Sequence, residues 1–542
     1  MRRMATHDLA PKAPARRIRL DDREELRRLG AAVLASSWTV GALIAVGFVL
    51  RLVRFLHYRS LWLDEATLAL NVMSRSYTHL VTSLDFAQGA PAGFLVLEKL
   101  SISLFGDSER AFRLVPFLAG IAALFVFWRV ALRFLGRHTA LLALAFFSCM
   151  ECFVYYGSET RPYELDVLAA LVLLLLFDRA LETRSAGRFA AFAAAGIVAP
   201  WFSFGSLFVL AGTGAAAILV GLVRRDRRMV LLTAGAAVSW IVSFAIEYHE
   251  LVRHLGQLAG VVAGVNSETS SLVKDLYILF SEPGALPRTL VALLNLLVVI
   301  GAVALARRSW PRLLALLANL LAALAVGATH RYPVTGRWIL YLVPLAVILL
   351  AEGIVALVRS TRMPVRVVVL VGAGLLLAAV AAQTARNAVR LPTQFPGTPA
   401  VSEPAKELIN GIERAWRPGD VLYVSRMSEF AFRYYVTCKD CNPRATEERA
   451  LWPFTPTAGP SQDSAAFVPD KSFLVLGTSG LDLNVMQRDF GRLPRKPRVW
   501  FLFTDQVDLP TVELLLQRDG REVRAIRAGD SEALLFDLRR RS

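Results

Sequence analysis

Long apolar runs alternate with short arginine-rich breaks from residue 31 to about residue 383, and then the pattern changes. The runs lie at 31–50, 113–132, 139–156, 163–181, 189–200, 204–223, 229–247, 288–306, 313–329, 338–357 and 365–383. At 1.5 Å per residue most are long enough to cross a bilayer as helices. They predict about 11 spans, with 189–200 short and ending at Pro200-Trp201. A twelfth stretch, Ala92–Phe105, is apolar but short and carries Glu98-Lys99 in its middle. It reads as an amphipathic helix lying at the membrane surface.

With that helix excluded, the breaks sort by character. Those around Arg133–Arg137, Arg184–Arg188, Arg224–Arg228, Arg307–Arg312 and Arg359–Arg366 are all basic. They fall on one side of the membrane, the cytoplasmic one if positive charge stays inside. Counting 92–105 as a span would invert every one of them. The other breaks mix acids, aromatics, arginine and glycine: Tyr155 to Asp166, Pro200 to Gly205, the long loop from His249 to Pro287, and His330 to Arg337. The first outer loop, 57–112, is the largest insertion near the N-terminus and holds Asp64-Glu65. Arg51 and Arg54, at the outer end of the first run, are expected to snorkel to the headgroups.

After 384 the pattern is that of an α/β domain on the outer side. Strand-length apolar runs occur at 421–425, 473–476, 499–503, 523–526 and 533–538, and a helical period at 511–518 is closed by Asp519-Gly520. The predicted organisation is a cytoplasmic tail (1–30) with a short interfacial helix, a membrane domain (31–384) and an extracytoplasmic domain (385–542).

Composition agrees with this picture. The chain has 542 residues, 55% of them hydrophobic, and a formal charge of +17. Nucleic-acid binding is set aside because the arginines punctuate apolar runs instead of forming one patch. No cleavable signal is expected, since the first apolar run has no small-residue cleavage site. The cysteines are Cys149, Cys152, Cys438 and Cys441. The first pair falls in an apolar run and reads as packing. The second is either a small local disulfide or two thiols, and it lacks the further ligands of a zinc site. No phosphate loop or dinucleotide fingerprint is present.

Two adjacent acids beside a span are costly unless they face water. Asp64 is either a general base or, with Glu65, a helix-start acid. Glu65 could raise its neighbour's pKa, hold a cation or orient an acceptor. Arg331 and Arg337, beside Tyr332, are either a phosphate-binding fork or an interfacial anchor. Glu159 and Arg161 are either an ion pair or a second acid with a second phosphate ligand. His57 and His79 lie near the acids; His249, His254 and His330 read as loop polar groups. An enzyme on the outer side has no nucleotide pool, so its activated substrate would have to arrive on a lipid phosphate.

The order of these features resembles the polytopic glycosyltransferases of the C superfamily (GT-C) that use lipid-phosphate sugars. The chain is most similar to the protein mannosyltransferase and aminoarabinose transferase group, including rhizobial lipopolysaccharide-core sugar transferases. The matching stretches are Leu61-Trp62-Leu63-Asp64-Glu65-Ala66, Gln88-Gly89-Ala90-Pro91, Phe105 to Leu114, Tyr155 to Tyr163, and Tyr332-Pro333 with Gly336-Arg337 and Pro344. Tail stretches Arg417-Pro418-Gly419-Asp420, Phe432 to Tyr435 and Arg498-Val499-Trp500 also resemble such bacterial members.

The resemblance implies an inverting transfer from a polyprenyl-phosphate sugar to a glycan, lipid or protein acceptor, at the periplasmic face of a bacterial inner membrane. It implies Asp64 as base, Glu159 as a second acidic site beside Glu65, and Gln88, Arg161, Tyr163, Arg331, Tyr332 and Arg337 as substrate-binding positions. Ala90 stands where the family often has a proline, and Glu159 where some relatives have Asp. No metal ligand is assigned, although relatives differ and a divalent ion is compatible with two or three carboxylates. The competing readings are a polytopic transporter or flippase, which the absence of evident repeated halves disfavours, and a non-catalytic scaffold with an outer glycan-binding domain.

Overall fold

The computed structural model describes residues 37–57, 59–82, 84–86, 88–183, 185–249, 288–329, 336–390, 404–438, 440, 474–477, 483–491, 493, 495–504, 509–529 and 531–539. Helix α1 (Ser37–Leu56) leads into α2 (Leu63–Ser74), the single turn α3 (Tyr77–Leu80) and α4 (Ala92–Phe105). Then come α5 (Glu109–Leu135), α6 (Arg137–Cys149), α7 (Glu151–Tyr156), α8 (Tyr163–Thr183), α9 (Ala186–Val198), α10 (Ser206–Val223) and α11 (Arg227–Glu247). The bundle closes with α12 (Arg288–Gly327), a tight turn at Gly336–Leu342 running into α13 (Val343–Ser360), and α14 (Met363–Arg390).

Helix ends follow their local chemistry. The Ser108 hydroxyl accepts from the Ala111 amide at the start of α5, and Asp226 accepts from Met229 at the start of α11. Gly136 ends α5 at φ 81°, where a side chain would be strained.

Seven helices among the described residues are long and apolar enough to cross a membrane: α1, α5, α10, α11, α12, Arg337–Ser360 and α14. Eight of the 11 expected runs lie in these segments, two of them in α12, and the other three differ for reasons visible in each case. The 139–156 run breaks at Met150 into α6 and α7. Helix α8 carries Glu164, Asp166, Asp178 and Arg179. Helix α9 has 13 residues. The runs at 288–306 and 313–329 form two helices within α12 that meet at Ser309, whose backbone is not helical, two residues before Pro311. Arg51 and Arg54 also depart from expectation. They are buried rather than snorkelling: Arg51 donates to the Gly47 and Ser148 carbonyls, and Arg54 lies 5.0 Å from the Tyr155 ring centre.

Small residues let α12 and α13 approach backbone to backbone. A Cβ built on Gly353 would lie 1.9 Å from the Leu297 carbonyl oxygen, and one on Gly301 1.9 Å from that of Leu349. Gly353→Leu is therefore expected to lower the thermal unfolding temperature of the detergent-solubilised protein. Gly372→Leu, where nothing lies within 4 Å, is expected to leave it nearly unchanged. Equal shifts in the two variants would contradict this packing.

Polar groups collect at the two ends of the bundle. Asp178 of α8 accepts from Arg133 (2.6 Å) and Arg312 (2.7 Å), and Arg308 lies 3.5 Å from Glu352. Arg113 lies 20 residues before Arg133 on the same helix, so the two arginines are separated by about 30 Å, the thickness of a hydrocarbon core. Between these ends apolar side chains face outward, with Leu231, Ile241, Val368 and Leu375 each more than 60% exposed. A surface that apolar suits lipid.

Helix α4 has the length read from the sequence, but its charged pair is not a solvated face. Glu98 is fully buried, whereas Lys99 caps the end of α2 by donating to the Val72 and Met73 carbonyls.

The C-terminal part holds α15 (Ala405–Ala415), β1 (Val421–Val424), α16 (Glu429–Thr437), β2 (Leu474–Leu476), α17 (Leu483–Gly491), β3 (Val499–Phe503), α18 (Leu509–Asp519), β4 (Arg521–Ala528) and β5 (Ser531–Asp537). The strands form a mixed sheet in the order β2-β1-β3-β5-β4, parallel from β2 to β3 and antiparallel beyond. Both faces of its centre are covered, which is why β1 and β3 read as continuous apolar runs. Val421, Tyr423, Phe501 and Phe503 pack toward α17 and α18. Leu422, Val424, Trp500 and Leu502 face the other way and share one core with Leu61, Leu68, Phe94 and Phe112 of the first loop. Two of the tail motifs meet at buried Asp420, which accepts two bonds from Arg498 (2.7 and 3.1 Å) and one from the Trp500 indole (3.0 Å).

Candidate active site

The site grows from the start of α2. Glu65 sits three residues into that helix and accepts from the Trp62 amide, closing the first turn. Its carboxylate is fully buried and takes a fork from Arg113 of α5 (3.1 and 2.8 Å), the Thr160 amide (2.9 Å) and Arg59 (3.4 Å). Burial alone would raise its pKa. The Arg113 and Arg59 charges outweigh that and hold it at about 2. One side chain thus joins α2, α5 and the 157–162 turn.

Glu65 being fully engaged, the neighbouring Asp64 turns its carboxylate elsewhere. The Asp64 side chain is 23% exposed; Arg337 donates to Oδ2 at 2.7 Å, and Arg161 lies 3.5 Å from the same oxygen. Arg161 also donates to the Asp64 carbonyl (2.7 Å) and to Gln88 Oε1 (2.8 Å). The Arg337 guanidinium lies 4.9 Å from the Trp62 ring centre and 5.8 Å from that of Tyr163. Aromatic faces on two sides fix its plane.

Glu159 is 2% exposed; among the described residues Arg59 lies 4.0 Å from it, and its Oε2 has no hydrogen-bond partner. Burial pushes its pKa up, Arg59 opposes this and the Glu65 charge adds to it. Arg59 further bonds the Tyr155 hydroxyl (3.4 Å) and the Ser158 carbonyl (3.2 Å).

Of the residues singled out in the sequence, Asp64, Glu65, Gln88, Glu159, Arg161, Tyr163 and Arg337 come together. Arg331 and Tyr332 lie outside the described residues, as do His254, His330 and Cys441. His57 Nδ1 donates to the Val53 carbonyl, and His79 bonds Ser76, so neither reaches the acids through these bonds. Cys149 and Cys152 are free and buried, as packing residues would be; Cys438 is disulfide-bonded. Among the described residues no group of three or more His, Cys, Asp and Glu has a geometry suited to a metal.

Two residues without an assigned role in the sequence reading prove central, Arg113 and Arg59. Arg59 was visible as a cation close to the two acids, whereas Arg113 lies 48 positions from Glu65 in α5 and only the fold brings it there. A buried acid next to a span needs a buried cation.

Residues 89–246 match the family model described as dolichyl-phosphate-mannose-protein mannosyltransferase. No curated protein matches the sequence. Among solved structures, ArnT from Cupriavidus metallidurans in the apo state matches over 95% of this chain and 99% of its own, with a TM-score of 0.52 and 14% identity. The same protein bound to undecaprenyl phosphate matches over 93% of this chain and 98% of its own, again with a TM-score of 0.52 and 14% identity. The chain therefore has an ArnT-like fold. It is a polytopic helical membrane protein whose residues 89–246 resemble the dolichyl-phosphate-mannose-protein mannosyltransferase family.

Proposed function

We propose that the protein moves a sugar from a polyprenyl-phosphate donor to a hydroxyl acceptor, with inversion, at the periplasmic face of a bacterial inner membrane. The observation that carries this reading is the carboxylate of Asp64, part-open, with Arg337 at 2.7 Å and Arg161 at 3.5 Å. A base for the acceptor and cations for a departing phosphate are thereby adjacent. The ArnT structure with undecaprenyl phosphate supports a lipid phosphate as the donor's leaving group.

In the proposed step the acceptor oxygen attacks the anomeric carbon as the bond from that carbon to the phosphate oxygen breaks. Asp64 takes the acceptor's proton, and the phosphate leaves with the bonding electron pair toward Arg337 and Arg161. A guanidinium fork suits phosphate, so Arg337 can pass from Asp64 to the donor as the donor binds. Stabilising the charge that develops on the leaving group is usually the larger catalytic contribution. Gln88 and Tyr163 border the donor, and Arg331 and Tyr332 are assigned to donor binding from the sequence alone. Glu159 serves as a second acidic group, and Glu65 positions the turn that carries Asp64.

Sidedness follows from the two polar ends. The end holding Arg133, Arg308 and Arg312 belongs in the cytoplasm by the positive-inside rule, which puts Asp64 and the C-terminal domain outside. Acceptors of three kinds fit an outward site: a glycan, a lipid or a protein.

The test incubates membranes carrying the protein with a panel of polyprenyl-phosphate sugars and an envelope extract as acceptor. Consumption of one sugar by the wild type, and not by Asp64→Asn, is the expected result. Equal consumption by both, or none across the panel, would overturn the reading.

A further inference from the structure

The C-terminal domain does more than stand over the membrane domain. The backbone just before Asp64 is held from two sides. From the bundle, Arg113 donates to the Arg59 carbonyl (2.8 Å) and the Ser60 carbonyl (3.1 Å). From the C-terminal domain, the Tyr435 hydroxyl accepts from the Leu61 amide (2.8 Å), and the Lys406 amide donates to the Ser60 hydroxyl (3.2 Å). Leu61 is fully buried and Tyr435 is 6% exposed, so water cannot replace the Leu61 bond.

A second observation on the same helix α16 points the same way. Phe86, two residues before Gln88, has φ 61°, a left-handed conformation that is costly for a bulky residue. Such backbone persists when its surroundings over-determine it. Here the Phe430 ring lies 5.0 Å away edge-on, and the Arg433 guanidinium sits 5.9 Å from the Phe86 ring centre. One helix of the C-terminal domain thus contacts the segments just before Asp64 and just before Gln88.

We propose that α16 is a positioning element of the active site, in which Tyr435 sets the place of Asp64 through Leu61 while Phe430 and Arg433 set that of Gln88 through Phe86. This rests on the transfer reading above. Misplacing a reacting group by about 1 Å can cost on the order of 10²-fold in rate. Tyr435→Phe removes only the hydroxyl that holds Leu61, and a partial relaxation of the turn is expected to lower kcat about tenfold, with the donor KM little changed.

The control is Tyr434→Phe. Tyr434 is also buried, and its hydroxyl donates to a loop carbonyl, that of Asp107 (2.8 Å), so it does not touch the Asp64 turn through this bond. Both variants are measured in the full-length protein in three ways: thermal unfolding, transfer of whichever sugar the wild type consumes, and amide hydrogen exchange across residues 59–66. Similar unfolding temperatures, with a kcat loss and faster 59–66 exchange only in Tyr435→Phe, are the expected result. Wild-type kcat in Tyr435→Phe, or an equal loss of kcat in both variants, overturns the positioning role. If Asp64→Asn still transfers sugar, the transfer reading falls instead. Exchange at 59–66 then decides by itself whether Tyr435 holds the turn, and an unchanged rate overturns that too.

Discussion

Asp64→Asn is expected to lower the turnover of sugar transfer by about 10²–10⁴, the usual worth of a general base. Asparagine keeps the size of the side chain and an oxygen that can accept from Arg337, so the helix start and the neighbouring fork survive. What is lost is the capacity to take the acceptor's proton. Donor binding should change little, because Arg337 and Arg161 remain in place. The initial rate of donor consumption in membranes with matched protein levels is the measurement, and a loss smaller than about tenfold would remove Asp64 from the role of base. Glu65→Gln makes an informative companion. It keeps Asp64 but weakens the fork from Arg113, so it should lower folded yield as well as rate.

Arg113→Met is expected to destabilise the protein by about 3–5 kcal/mol, the cost of leaving a buried carboxylate without its partner. Arg113 and Glu65 have side chains 4% and 0% exposed, and Arg113 also holds the Arg59 and Ser60 carbonyls. The double variant Arg113→Met with Glu65→Gln should regain part of the loss, since the stranded charge is gone. No recovery would mean that the backbone bonds, not the ion pair, carry the effect.

The pH dependence has a definite sign. The folded pKa of Glu65 lies at about 2, below its ordinary 4.5. Its contribution to stability is therefore complete above 4.5 and is lost as pH falls toward 2. In Arg113→Met much of that contribution should be missing already at neutral pH. Thermal unfolding in detergent, from neutral pH to below 4.5, reads both effects.

Much of this was legible from residue order. The α4 helix came out with the bounds its apolar run suggested, because length and a charged pair together rule out a span. The C-terminal strands were visible because sheets covered on both faces leave uninterrupted apolar runs, as in Val499–Phe503. Asp64, Glu159 and Arg337 stood out because polar residues at the edge of a membrane are costly and so draw notice.

Other features were hidden for physical reasons. Three of the eleven expected runs do not form helices long and apolar enough to cross a membrane, because hydropathy averages over a window. It cannot see the break at Met150. Arg51 looked like a snorkelling residue, yet its guanidinium turns inward to the Ser148 carbonyl on another helix, a partner 97 positions away.

The sequence by itself determined which segments are apolar, which breaks are basic, and which breaks mix acids, arginines and aromatics. These are local properties, set by the cost of placing each side chain in hydrocarbon or water. Only the tertiary structure decided how the two adjacent acids divide their work. Helical rotation of about 100° per residue turns Glu65 into the Arg113 fork and Asp64 toward the opening with Arg337. The same holds for Tyr435, whose hydroxyl meets Leu61 across 374 positions of chain. A bond of that kind depends on how two folded units dock, and no spacing along the chain encodes it.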